Sequence, residues 1–163
     1  MSTVATPSAA VAAQSADLEL VRALMGGTRA MRAAGEKYLP RWPAEDLKAH
    51  RDRLDSAVLF PAYARTVSTL ASKPFSRAIT IGDDTPDKIR EWSENIDMQG
   101  RNLHVFAAEA FAHAMAEGLC GILVDYPRAD GVRTRADEIR ANLRPYFVMV
   151  RKSQILGWRA RKT

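Results

Sequence analysis

A change of period inside one short stretch constrains this chain more than any other feature. Leu103, Phe106, Ala107, Ala110, Phe111 and Ala114 recur at spacings of three and four, which puts them in one stripe along a helix. Gly118 breaks that rhythm. Leu119 to Val124 follows as an unbroken apolar run, too short for another typical helix and carrying β-branched Ile122 and Val124. The pattern predicts a helix, a glycine turn and a strand that ends at Asp125 with Tyr126-Pro127, because proline restricts the residue before it and cannot donate to a ladder. Phe106, Phe111 and Ile122 are expected in one core.

A second strand is expected at Tyr146 to Val150, opened by Pro145, and short ones at Phe75 to Ile81 and at Ile155, Leu156 and Trp158. Helices are expected in four other places. Leu18, Val21, Leu24 and Met25 form a stripe capped by Asp17 and stopped by Gly26-Gly27. Ala44 to Val58 opens after Pro43 and offers Leu47, Leu54, Ala57 and Val58 for burial. Pro61 opens the next, which Lys73-Pro74 ends. Thr85 caps the last, with Pro86 in its first turn and Ile89, Trp92 and Ile96 on its apolar face. Between these, Arg29 to Pro43 reads as a packed linker, Asp97 to Asn102 as a polar bend, and Pro127 to Asn142 as a protruding loop with a short helix near Arg135 to Leu143. Residues 1–16 are dominated by alanine and small polar side chains and are expected to form a flexible tail before a single domain at 17–163. The fold class is α+β, helix-rich with a small mixed sheet.

Chemistry-bearing patterns fail on spacing. Asp83, Asp84 and Asp87 are close in sequence, yet the alternating acidic loop and final glutamate of a calcium site are missing. His104 and His113, nine residues apart, do not have the HExxH spacing of a zinc site. Gly26-Gly27 lacks the strand and the GK[ST] of a phosphate loop, and no serine nucleophile elbow is found. Cys120, the one cysteine, reads as a small buried residue, and Asp125 as a hydrogen-bonded turn acid. No catalytic residue, cofactor or metal is expected, and no apolar run approaches the roughly 20 residues that span a bilayer.

The charge is unevenly placed. The first 150 residues balance 19 Lys and Arg against 19 Asp and Glu, so the net +5 lies in Arg151, Lys152, Arg159, Arg161 and Lys162. Together with Trp42 and Trp158 these are the candidate contacts for a protein partner or a nucleic acid. Any DNA attraction through them is expected to be weak, non-specific and lost with salt.

Several of these segments, taken in order, resemble a known family. Tyr38-Leu39-Pro40, Arg65-Thr66-Val67, the run Asn95 to Leu103, Glu117 to Pro127, Arg144-Pro145-Tyr146-Phe147 and Ile155 to Arg159 are similar to the N-terminal part of a tailed-phage portal-like family, once described only as a domain of unknown function. The resemblance covers roughly Ala23 to Arg159. It implies a ring-forming structural protein at a capsid vertex, with other portal subunits, the packaging motor, capsid and tail connector proteins as partners, in the virion or the cytoplasm of a bacterial host. The portion resembled is the wing side, so the resemblance further implies a remainder beyond Thr163, absent through truncation, a split gene or prophage decay. Gly118, Gly121, Asp125, Tyr126 and Pro127 are then expected to shape the helix-to-strand junction and its exit turn. The alternatives are a small adaptor or scaffold component and, third, a DNA-binding module.

Overall fold

The computed structural model describes residues 5–128 and 134–158. Helix and strand come where the period changes: α7, Leu103–Glu117, is followed by β1, Cys120–Asp125, with Gly118 between them in the left-handed conformation at φ 78°. β1 pairs antiparallel with β2, Tyr146–Arg151, from Cys120 opposite Arg151 to Asp125 opposite Tyr146. The fold is α+β, with these two strands as its sheet among the described residues. The chain divides into two compact units: one runs to Leu70 and takes back the chain from Leu156 onward, and the other is Ala71–Ile155.

The first unit is helical. Ala9–Ser15 form α1 where the sequence predicts a tail, with the Ser8 hydroxyl accepting from Val11 N–H, and the Ser8 N–H donating to Leu156 O at 2.7 Å. Val11 is buried, so one branched side chain anchors an otherwise small-residue helix. α2, Leu18–Met25, ends at Gly26, and Gly27, at φ 67°, starts α3, Gly27–Ala33, inside the stretch read as a linker. A 3-10 turn at Gly35–Lys37 follows, tied back by the Lys37–Glu19 ion pair. α4, Leu47–Ser56, starts three residues after the expected point, because Asp46 caps it, accepting from Lys48 N and Ala49 N at 2.8 and 2.9 Å. Its expected burial is corrected: Leu47 and Val58 are exposed, while His50 is buried. α5, Ala62–Ser72, runs across the division between units, with Val67 and Ala71 buried.

Two expected strands do not form, one inside the second unit and one where the chain leaves it. Lys73–Phe75 is a 3-10 turn, and Ile79 N–H is taken by His104 Nδ1 rather than by a ladder. After β2, Lys152–Gln154 is another 3-10 turn, and Leu156 O accepts from Ser8 N–H. Each segment has strand-forming residues, but its backbone bonds go elsewhere. The sheet is therefore two-stranded and antiparallel, not mixed. α6, Asp87–Ser93, begins one residue later than expected with Pro86 in the cap position, and Thr85 supplies no side-chain cap. Its entry turn is held by Arg90, which donates to Gly82 O and Thr85 O. α8, Arg135–Arg140, is the short helix expected in the loop after β1, capped by Thr134.

The core of this unit is narrower than the apolar pattern implies. Phe106 is 1% exposed and meets Phe147 of β2 with ring centroids 5.8 Å apart. Ala110 and Ala116 are buried with it, and Ile96 lies buried before the bend. Phe111, in contrast, is 36% exposed and Ile122 51%. The expected three-residue core is thus corrected to Phe106 alone. Phe106 of α7 packs on Phe147 of β2, while Ile122, Leu123 and Val124 of β1 remain exposed.

Candidate functional site

A bend, a helix cap and a strand edge converge at the start of α7. Asp97 is 2% exposed, and its Oδ1 accepts from Gln99 N at 2.8 Å and Arg101 N at 3.1 Å, an Asx turn drawn tight by a short acidic side chain. Its Oδ2 takes the Arg101 Nε, while the other end of the guanidinium reaches Glu109 and the Phe106 ring lies 5.5 Å away. Burial pushes the Asp97 carboxyl up, but the Gln99 and Arg101 N–H groups and the Arg101 guanidinium outweigh it and hold it below the usual carboxylate range. The chain can then turn back on itself: Ile96 N–H reaches Arg101 O, Gly100 N–H reaches Asn95 Oδ1, and Met98 is held at φ 58°, unusual for a side chain of that size.

The same bend serves its two neighbours. Asn102 caps α7 by accepting from Val105 N at 2.9 Å. Ile96 O accepts from Phe147 N at 2.9 Å, and the buried Arg144 donates to Asn95 O, so the start of β2 is fixed to the bend.

The far end of α7 is finished by Gly118 and, unexpectedly, by Lys152. Its ammonium is buried and donates to Glu117 O at 2.8 Å. A cation there meets the negative end of the helix and satisfies a carbonyl the helix leaves over. Lys152, expected among the partner contacts, is therefore an internal cap. Gly121 is also placed by a close approach, since a Cβ there would stand 3.4 Å from that of Val150. Asp125 accepts from the Tyr146 hydroxyl at 3.0 Å and from Tyr126 N–H at 2.8 Å, and that bond raises the Tyr146 phenol above its usual range. The Tyr126 hydroxyl donates to Leu143 O. Burial, with the Glu117 carboxylate, pushes the half-buried Cys120 thiol up, which keeps it protonated and a poor nucleophile.

The first unit holds a second joint. Arg53 grips Glu45 with two bonds of 2.7 Å and donates to Pro40 O at 2.9 Å, while Glu45 also accepts from Trp42 N. The Arg53 guanidinium, then the Trp42 N–H, lower the Glu45 carboxyl to about 2 against a desolvation cost. The buried His50 donates through Nε2 to Leu39 O at 3.1 Å, so the Tyr38–Pro40 passage is pinned from α4. A groove of about 140 Å³ lies beside it, lined by Met31, Leu39, Leu54 and Leu59 among others.

Of the candidate contacts, Trp42 and Trp158 are exposed at 68% and 50%, and Arg151 is also exposed. Arg159, Arg161 and Lys162 lie outside the described residues. Among the described residues, no three His, Cys, Asp and Glu side chains gather as metal ligands, and no helix is long and apolar enough to cross a membrane. Sequence reasoning missed Asp97, Arg101, Arg144 and the capping role of Lys152. Only the first carried a local signal, an aspartate two residues before a donor in a glycine-containing bend. No protein-family model and no curated protein matches the chain.

Proposed function

We propose that this chain is a structural assembly component rather than an enzyme, the wing-side portion of a portal-like protein at a phage capsid vertex, with a role in capsid assembly and genome packaging or ejection. The observation that carries the proposal is where the resembling segments fall. Tyr38-Leu39-Pro40 is the passage pinned by His50 and Arg53, Asn95 to Leu103 is the Asp97 bend, and Glu117 to Pro127 is the Gly118 junction with β1. These segments serve as joints, with hydrogen bonds directed at backbone groups, as a component that transmits load between subunits requires.

The exposed Trp42 and Trp158 favour an adaptor as the second reading, because large amphipathic rings left in solvent suit a protein contact. A DNA-binding module ranks third. In this proposal the chain works in the virion or in the host cytoplasm during assembly, and its DNA contacts are weak and without sequence preference.

The test is native mass spectrometry and electron microscopy of the product of the intact natural reading frame. Closed rings of many copies are the expected result. A monomer that binds one other protein in fixed stoichiometry would replace the portal reading with the adaptor.

A further inference from the structure

The two edges of the sheet differ. Phe147 N–H donates to Ile96 O, so it points away from β1, and Val124 opposite Phe147 is a pair without mutual ladder bonds. Alternation then fixes the rest: on β2, Phe147, Met149 and Arg151 turn their backbone groups outward, and on β1, Cys120, Ile122 and Val124 do so. The β2 edge is occupied at both ends, by Ile96 O on Phe147 N–H and by the Gln154 side chain on Arg151 N–H at 2.8 Å. Among the described residues, no backbone bond reaches the outward groups of Cys120, Ile122 or Val124. Within Cys120–Asp125 there is also no lysine, arginine, proline or bulge of the kind that blunts an edge, and Ile122 and Val124 are 51% and 61% exposed.

The geometry points to β1 as a self-pairing edge that joins two copies of this chain antiparallel into one four-stranded sheet, β2-β1-β1-β2. The occupant is a second copy because the edge left fully open among the described residues is also self-complementary. Antiparallel pairing centred on Ile122 brings outward-facing groups onto outward-facing groups, with Cys120 opposite Val124 and Ile122 opposite its own counterpart. On the other face Gly121 meets Leu123, and Asp125 meets Leu119, so no like charges are opposed. A β1 to β2 pairing would have to displace the Ile96 and Gln154 contacts. The contact is two-fold and closes at two copies, so it does not rest on the portal reading, whose rings need a different, head-to-tail surface.

The experiment uses the full 163-residue chain. Amide hydrogen exchange across a concentration series should slow at Cys120, Ile122 and Val124 as copies associate, while Gly121 and Leu123, already bonded to β2, stay unchanged. Light scattering should show a dimer that Ile122→Lys and Ile122→Glu each weaken by roughly tenfold or more, since like charges then face each other, and that an equal mixture of the two restores. Circular dichroism reports whether the variants fold; if they do not, the exchange pattern of the unaltered chain decides alone. A monomer at every concentration, or association with fast exchange at all three outward positions, overturns the inference. Rings with that fast exchange would overturn it and leave the portal reading standing, whereas a β1-paired dimer without rings would do the reverse.

Discussion

The two units solve one problem, holding an irregular connection in place, by different means. In the first, the Leu39–Pro43 passage is clamped by Arg53 on the half-buried Glu45 and by the buried His50 on Leu39 O. In the second, the Asp97 bend is also polar, but its carboxylate is buried and its guanidinium partner lies against Phe106, the most enclosed large side chain among the described residues. The two guanidiniums are about equally exposed, at 31% and 33%, so the difference lies in the carboxylates, 12% exposed for the Glu45 side chain and 1% for Asp97. The contrast teaches that equal bond lengths do not mean equal contributions, because removing a buried partner leaves a stranded charge while removing an exposed one lets water in.

The largest test of that contrast is Phe106→Ala, which should cost about 3–5 kcal/mol in denaturant unfolding. Phe111→Ala, more than a third exposed at the outset, should cost much less. Equal losses would mean that the second unit has no preferred core. Next comes Arg101→Ala, expected to cost about 1–3 kcal/mol because it leaves the buried Asp97 Oδ2 without its charged partner, while Oδ1 keeps its two backbone donors. The Asp97 contribution should be present above about pH 4, the ordinary carboxylate range, and fade as pH falls through its lowered folded value. A thermal scan of the variant that shows no loss would place the strength of the bend in its backbone alone.

A smaller effect isolates the junction. Gly118→Val should cost about 1–2 kcal/mol from the left-handed φ alone, since nothing lies within 4 Å of an added Cβ. Gly118→Asn, tolerant of that conformation, should recover most of it, and equal losses for both would point to packing instead.

The smallest effect belongs to the first unit. Glu45 is held at about 2 against an ordinary 4.5, so its stabilisation is complete above pH 4.5 and is lost on acidification towards 2. Melting temperatures of the parent chain and Glu45→Gln, read across that window, should converge as pH falls. A difference that persists at pH 2 would assign the clamp to shape rather than charge.

How much of this was legible in the sequence depends on how local each cause is. The loss of helical period at Gly118, the apolar run of β1 and the proline before β2 are set by neighbours within a few residues, and those elements appear within a residue or two of the expected places. The same reasoning misjudged Phe75–Ile81 and Ile155–Trp158, whose strand-forming side chains found no ladder because His104 and Ser8 took part of their backbone hydrogen bonding.

The sequence by itself determined the long helix, its left-handed stop and the strand that follows, because period, glycine and proline act through steric limits on the adjoining backbone. Only the tertiary structure decided which side of that pattern is covered. Phe106 and Phe111 carry the same ring on the same helix, yet Phe106 meets Phe147 of β2 and is buried, while Phe111 meets the Phe75 ring and stays more than a third exposed. Lys152 likewise reads as one more cation in a basic end until folding brings it to the last carbonyls of α7, 35 residues earlier in the chain. Burial and capping at such range depend on which distant groups compete for each backbone atom, and that competition is settled only when the whole unit packs.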